Sequence, residues 1–121
     1  MWIGTGELTD AVHRLGAFAA EITLAEVDDR TRAAAELLVL DTVGVTVAGA
    51  RTGELSSLVA AMDPPHGPAR LLGTDRDATV DSAALLNGTA ACALELDEGS
   101  KHARGHPSAH VLPAVLALGA A

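Results

Sequence analysis

The chain has 121 residues, of which 49% are hydrophobic, and carries a net charge of −8 at neutral pH. This apolar content excludes intrinsic disorder, and the acidic balance excludes a nucleic-acid binder, which needs a basic surface to displace counterions. Trp2 and Phe18 are the only aromatic residues, which also argues against a platform for stacked bases. We therefore expect one globular domain whose partners include neither nucleic acid nor an anionic membrane surface.

Cys92 is the only cysteine, so no intrachain disulfide can form, as fits a reducing compartment. The N-terminus has no basic region followed by an apolar core, so no signal peptide is predicted. The most apolar run, residues 33–50, contains Glu36 and Asp41, each of which costs roughly 2.5–3.5 kcal/mol near a bilayer centre. We therefore predict a buried helix in a cytoplasmic protein rather than a membrane span.

Helical spacing predicts the first helix over residues 9–21. Its apolar stripe consists of Leu8, Val12, Leu15 and Phe18. A polar connection over residues 23–29 follows, in which Asp28 or Asp29 can cap the next helix.

The second helix is predicted from about Arg30 to Ala48, with Gly49 as its stop. Its second half, VGVTVAG, would suit a strand by propensity, but the preceding AAAELLVL and the overall length favour one helix. We expect Gly44 to allow a neighbouring helix to approach closely, at a cost of roughly 1 kcal/mol relative to alanine.

A third, shorter helix should begin at Thr52 or Gly53 and run through Met62, before two prolines stop it. The sequence from residue 69 to residue 80 then reads as an extended or turn segment, with a polar turn at residues 74–77.

The fourth helix is predicted over residues 83–96, capped by Asp81 or Ser82. A loop at residues 97–109 and a helix from about His110 complete the chain. The fold class is therefore all-α: a helical bundle fragment with a short extended or turn segment near residues 69–80. Because the chain stops inside an apolar helix, and the second helix needs cover on every side, we expect an incomplete domain.

The stretch from residue 87 to residue 118 carries the chemistry, because it concentrates charges in a loop between two apolar helices. Glu95, Asp97 and Glu98 crowd the end of the fourth helix, where acids oppose the helix dipole, so a functional role and a solvated helix end both remain open. His106 lies between Gly105 and Pro107, a restricted backbone that suits an acid–base residue but equally a loop histidine bound to a carbonyl group.

Two further patterns have alternatives of their own. Lys101 and Arg104 predict a positive patch for an anionic molecule with several carboxylates, or simply a solvated loop. His102, His106 and His110 recur at every fourth position, as in a metal site, but the glycine and proline between them interrupt any continuous helix. Cys92 is read as a small core residue.

Three segments together resemble the MmgE/PrpD family, which includes 2-methylcitrate dehydratase and cis-aconitate decarboxylase. These segments are LLVLDTVGVTVAGA, ALLNGTAACALELDE and GHPSAHVLPAVLAL. The resemblance implies that residues 1–121 form the N-terminal portion of the family's large helical domain. It also implies a second α/β domain, further catalytic histidine and lysine residues outside this chain, and a homodimer.

The resemblance further implies that the acids and the HPS loop line a substrate pocket. His106 matches the loop histidine, Glu95 and Asp97 match acidic positions, and Glu98 replaces the second member of an Asp-Asp pair. The implied catalytic residues are His106, Asp97 and Glu95, and the implied substrate-binding residues are Ser100, Lys101, His102, Arg104 and Ser108.

The leading hypothesis is a cofactor-independent, metal-free lyase that dehydrates or decarboxylates a polycarboxylic acid, and residues 1–121 alone are expected to be inactive. The alternatives are a noncatalytic or truncated helical module, and a histidine-rich metal-binding module.

Overall fold

The computed structural model describes residues 4–102 and 104–121, so Trp2 lies outside the described residues. In chain order, the elements are α1 (Thr5–Glu21), a 3₁₀ turn (Leu24–Glu26), α2 (Asp29–Ala50), α3 (Gly53–Met62), β1 (Ala69–Arg70), β2 (Asp77–Ala78), α4 (Val80–Cys92) and α5 (Pro107–Leu118). The predicted class, helical with a short extended segment near residues 69–80, is confirmed.

The chain divides into two units, of which the first ends at Ala34 within α2. Helix α1 forms as its apolar spacing predicts, and it begins four residues before the predicted start. None of its residues is buried. The side chains of its apolar stripe are all more than half exposed, at 57% for Leu8, 61% for Val12, 66% for Leu15 and 59% for Phe18.

The connection between α1 and α2 is fixed by short polar contacts. The Glu26 carboxylate accepts hydrogen bonds from the backbone N–H and the hydroxyl of Thr23, both at 2.8 Å. Of the two predicted caps of α2, Asp28 is the one that forms: its Oδ1 accepts from the Thr31 N–H at 3.0 Å and its Oδ2 from the Thr31 hydroxyl at 2.7 Å. These bonds satisfy donors that the first turn of a helix otherwise leaves open, and they lower the pKa of both carboxyl groups.

The second unit, Ala35–Ala121, holds the hydrophobic core. Helices α4 and α5 pack against each other, and the hairpin of β1 and β2 contacts both α4 and the core. Small side chains dominate, which allows close approach of the elements. The buried cluster comprises Ala69, Leu71, Ala78, Ala83, Leu86 and Ala117.

Gly49, rather than Gly44, is the point at which α2 and α4 approach closely. A Cβ atom at Gly49 would overlap the carbonyl oxygen of Ala90 and lie 2.9 Å from its carbonyl carbon. At Gly44, a Cβ atom would meet no atom within 4 Å outside its own helix, among the described residues. The predicted role of Gly44 is therefore wrong, and Gly49 lies inside a helix that ends at Ala50 instead of stopping it.

The hairpin is joined to α4 by the buried amide of Asn87. Its Oδ1 accepts from the Leu72 N–H at 2.9 Å, and its Nδ2 donates to the Arg70 carbonyl at 3.0 Å. Gly73 supplies the positive φ of 79° that the turn requires, against Val47 and Ala50 of α2. One polar side chain thus ties the hairpin backbone to the helix that leads to the candidate site.

Helix α2 is less buried than the sequence predicts. Only Thr42, Thr46 and Gly49 are buried, whereas Leu37 is 67% and Leu40 is 69% exposed. By length and composition alone the helix could span a membrane, since its most apolar window has a mean hydropathy of 1.6 and is 17% buried. The contact of Gly49 with α4 instead places its C-terminal half against the core of the second unit.

The boundaries of α3 agree with the prediction, with Thr52 as its N-cap. Those of α4 and α5 do not. Helix α4 is preceded by Thr79 rather than capped by Asp81 or Ser82, and it ends at Cys92 instead of near Leu96. Helix α5 begins three residues before His110. The loop that carries the charged residues is therefore residues 93–106.

Candidate functional site

The candidate site is the loop that connects α4 to α5. After Cys92 the chain leaves the helix, and Glu95 takes a positive φ of 51°. Ending the helix here keeps the following acids out of its last turn, where they would oppose the helix dipole. Farther along, the Ser100 N–H donates to the Gly105 carbonyl at 2.8 Å and forms an isolated antiparallel bridge. This bridge brings together the two residues that flank Lys101, His102 and Arg104 in the sequence.

Asp97 and His106 form the central pair of the loop. His106 Nδ1 lies 3.1 Å from Asp97 Oδ2, a hydrogen-bonding distance. The Asp97 side chain is only 6% exposed, whereas that of His106 is 52% exposed. A buried carboxylate thus holds the Nδ1 edge of an imidazole that is otherwise about half exposed to solvent.

Cys92 contacts the same carboxylate oxygen. Its thiol donates to Asp97 Oδ2 at 3.6 Å, within the range for a sulfur hydrogen bond. Partial burial of the thiol, followed by the charge and hydrogen bond of Asp97, raises the pKa of Cys92. The group therefore stays protonated at neutral pH and can act as a donor. The predicted role as a core residue is wrong, because Cys92 is exposed overall at the end of α4.

Glu98 contacts the start of α5. Its Oε2 accepts from the Ser108 N–H at 3.3 Å and from the Ser108 hydroxyl at 3.0 Å. Ser108, predicted to bind substrate, is only 4% exposed, and its hydroxyl is engaged by Glu98. The two neighbouring acids, Asp97 and Glu98, therefore hold different parts of the loop.

The structure does not gather every predicted residue around this pair. The side chains of Glu95, Lys101, His102 and Arg104 are exposed. None of the four makes a side-chain hydrogen bond or ion pair to Asp97 or His106 among the described residues. Ser100 contributes its backbone to the bridge with Gly105. Glu95, Lys101, His102 and Arg104 therefore lie on the same loop as the pair, with side chains open to solvent.

An open groove of about 720 Å³ shares Cys92 with the network around Asp97, but neither Asp97 nor His106 lines it. Helices α3, α4 and α5 form it, and its lining is mostly apolar. The lining residues nearest the loop are Cys92, Ala93, Ala109 and His110. His110 thus faces the groove on α5, apart from the hydrogen bond between Asp97 and His106.

The histidine repeat does not build a metal centre in the described part of the chain. Among residues 4–102 and 104–121, no group of three or more histidine, cysteine, aspartate and glutamate side chains could hold a metal ion. Pro107 starts α5 directly after His106, so His102 and His106 do not share a helix with His110.

Sequence reasoning placed Glu98 among the acids of the pocket but missed its bonds to Ser108, and it missed the contact of Cys92 with Asp97. A signal for Glu98 exists in the start of α5. His106 at the N-cap makes no side-chain capping bond and Pro107 has no N–H, so the Ser108 amide needs an acceptor from elsewhere. No comparable signal exists for Cys92, whose contact depends on where α4 ends.

Comparison with known proteins gives one clear finding. The family model described as MmgE/PrpD N-terminal domain matches residues 13–121. No curated protein and no solved structure matches the chain. The matched range includes the second half of α1, all later elements and the whole loop with its Asp97–His106 pair. The chain therefore belongs to the MmgE/PrpD family, as its sequence motifs predicted.

Proposed function

We propose that this chain supplies one side of the active site of a cofactor-independent lyase that dehydrates a polycarboxylic acid. Membership of a family known for dehydratases and other lyases supports the reaction class. The observation that carries the proposal is the hydrogen bond between His106 and the buried carboxylate of Asp97.

This contact prepares the imidazole for proton transfer. Asp97, as a carboxylate, can only accept, so the 3.1 Å contact assigns the proton of neutral His106 to Nδ1. The lone pair then lies on Nε2, on the other edge of a half-exposed ring. A histidine oriented in this way can take a proton at Nε2, and the nearby carboxylate stabilises the cation that forms.

The chemistry needs two proton transfers. A base removes a proton from the carbon next to a carboxylate, the electron pair of that bond forms a carbon–carbon double bond, and the hydroxyl departs. An acid protonates the hydroxyl, so that it leaves as water. We assign one of these transfers to His106, with Asp97 orienting it. Glu95, exposed in the same loop, is the candidate in this chain for the group that makes the second proton transfer.

The exposed cations suit the proposed substrate. Lys101 and Arg104 lie on the loop between Asp97 and His106 in an acidic chain, and His102 lies between them. Lysine and arginine form charge-assisted hydrogen bonds to carboxylates, so a substrate with several carboxylates can bind here while its reacting carbon approaches His106. Decarboxylation would use the same binding groups, with a carboxyl group leaving as carbon dioxide and an acid protonating the carbanion.

Binding can be tested on the chain itself. Citrate titrated into ¹⁵N-labelled protein should shift the signals of Lys101, Arg104 and the His106 ring. His13, exposed on α1, serves as the matched control and should not respond. Equal responses of His13 and His106 would indicate unspecific binding of an anion and would contradict a substrate site in the loop.

Turnover is tested in a complete family enzyme with histidine and aspartate at the positions of His106 and Asp97. Replacing the histidine by alanine should lower kcat at least ~100-fold with 2-methylcitrate, citrate or cis-aconitate, the scale of a general acid–base residue. An aspartate-to-asparagine change should act in the same direction, because the amide cannot stabilise an imidazolium. Near-normal turnover of the alanine variant would remove His106 from the mechanism.

A noncatalytic helical module is the second candidate. The observation that favours it is the exposure of large apolar side chains in each unit: the stripe of α1 in the first, and Leu37 and Leu40 in the second. Citrate titration of residues 1–121, with His106→Ala as the background, separates the two readings when combined with gel filtration. Citrate-specific shifts at His106 favour a catalytic segment, whereas association with a partner without any response to citrate favours the module.

A further inference from the structure

The first turn of α5 depends on a carboxylate from outside the helix. His106, the N-cap residue, has a φ of −117° and a ψ of 68° and makes no side-chain capping bond. Pro107 follows as the first helical residue and has no N–H to offer. The Ser108 amide is therefore the first donor that needs a partner, and Glu98 accepts it from ten residues upstream.

This contact is shielded and charge-assisted. Ser108 is 4% exposed, and the same Glu98 oxygen accepts both its N–H and its hydroxyl. A carboxylate at a helix N-terminus also interacts favourably with the helix dipole. Hydrogen bonds to charged groups are stronger than neutral ones, so Glu98 stabilises the first turn of α5 more than a capping serine in the same place would.

The contact confines the backbone of His106 from both sides. On one side, Gly105 is paired with Ser100 through the 2.8 Å backbone hydrogen bond. On the other, Ser108 is held by Glu98. Only Pro107 separates His106 from Ser108, and its ring restricts the backbone further. These contacts restrict the backbone position from which the His106 imidazole reaches Asp97 Oδ2.

We infer that Glu98 is a positioning residue for His106: it holds the start of α5 by its two bonds to Ser108 so that the His106 ring stays on Asp97. The role in turnover rests on the proposed function, whereas the effect on the position of the ring does not. Glu98 acts through hydrogen-bond acceptance and transfers no proton. Glutamine, whose amide oxygen accepts the same two bonds, should therefore keep the ring in place, although its neutral amide stabilises the start of α5 less than the carboxylate does.

The first experiment measures the His106 ring signals and the hydrogen exchange of the Ser108 amide by NMR in the chain. Glu98→Ala should shift the ring signals and speed exchange of the amide, and Glu98→Gln should restore both. Glu54→Ala is the matched control, since it removes an exposed acid from the first turn of another helix, α3. It should leave His106 unchanged.

Two results would overturn the inference. Unchanged ring signals in Glu98→Ala would mean that the start of α5 does not set the position of His106. A Glu98→Gln variant as perturbed as Glu98→Ala would mean that the charge, not the two accepted bonds, matters. Should Glu98→Ala fail to fold, Ser108→Ala serves instead: it removes the hydroxyl bond alone and should shift the ring signals in the same direction by less.

The second experiment follows turnover in a complete family enzyme with glutamate at this position. Glu98→Ala should lower kcat at least ~10-fold, because a misplacement of about 1 Å costs up to ~100-fold in rate. Glu98→Gln should recover most of the loss, whereas a proton-transfer role would leave it inactive. If the NMR results are as expected but no lyase turnover is found with any polycarboxylate, the proposed function fails and the positioning role stands.

Discussion

Replacing Gly49 by alanine tests the contact that places α4, and with it the site. In an exposed helix interior the same change stabilises a protein by about 1 kcal/mol, because alanine has the higher helix propensity. At Gly49 the new methyl group would overlap the carbonyl oxygen of Ala90 and lie 3.3 Å from the Ala93 Cβ atom. The obstacle is backbone, which cannot turn aside as a flexible side chain can.

The magnitude follows from these two opposing effects. Overpacking of a well-packed contact costs about 1–3 kcal/mol, and a backbone obstacle places Gly49→Ala at the upper end. After the gain in helix propensity, we expect a net loss of about 2 kcal/mol in the free energy of unfolding. Gly44→Ala, in the same helix but with open space around it, should gain about 1 kcal/mol.

Thermal and urea denaturation followed by circular dichroism measures both variants. The difference of about 3 kcal/mol corresponds to a gap of roughly 10 °C in Tm for a chain of this length. Because Ala90 and Ala93 flank Cys92, Gly49→Ala should also shift the NMR signals of the His106 ring, and Gly44→Ala should not. A Gly49→Ala variant as stable as Gly44→Ala would refute the contact between α2 and α4.

Two further predictions concern other fixed points of the fold. Asn87→Ala should lower the free energy of unfolding by about 2 kcal/mol, because it leaves the Leu72 N–H and the Arg70 carbonyl without their partner. The Leu72 amide should then exchange its hydrogen faster, and unchanged protection of that amide would contradict the prediction. The bonds from Thr31 lower the pKa of Asp28 in the folded state, so its contribution to stability is present at neutral pH and is lost as the pH falls below about 3.8 through the folded pKa. The control is Asp28→Asn, which keeps a capping oxygen but does not titrate. Between pH 7 and pH 2.5, the Tm of the unmodified chain should fall until its advantage over Asp28→Asn disappears. A Tm difference that stays constant with pH would contradict this assignment.

The helices could be predicted from sequence because their signals are local. Periodic apolar residues marked α1, and a long apolar run with good helix formers marked α2. Asp28 and Thr52 marked two helix starts, and the prolines after Met62 marked the end of α3. Each of these signals acts within one or two turns of chain, so no tertiary contact is needed to read it.

The limits of α4 and α5 were misread for physical reasons. The sequence CALEL has good helix formers, so propensity alone extends α4 to Leu96, yet Glu95 adopts a left-handed backbone beyond the helix end. Pro107 was read as interrupting a helix, although proline is favoured at the first helical position because no intrahelical bond is lost there. Both errors moved the predicted loop toward the C-terminus, so the hydrogen bonds that Ser108 donates to Glu98 were not predicted.

Roles that depend on packing between distant segments could not be read from sequence. Gly44 and Gly49 stand in the same apolar helix, and only the position of Ala90 decides which of them permits close approach. The expected burial of α2 failed in a similar way, because Leu37 and Leu40 are apolar by sequence but exposed in the structure. A pattern of apolar residues indicates what can be buried, and the neighbours determine what is buried.

The Oδ2 atom of Asp97 is the point at which α4 and the charged loop meet. A buried polar group needs hydrogen-bond partners, and two donors reach this oxygen, the His106 Nδ1–H at 3.1 Å and the Cys92 thiol at 3.6 Å. The raised pKa of Cys92 keeps the thiol protonated and therefore a donor. Since Cys92 is the last residue of α4, the helix that Gly49 and Asn87 fix in place also delivers one of the two groups that hold the carboxylate.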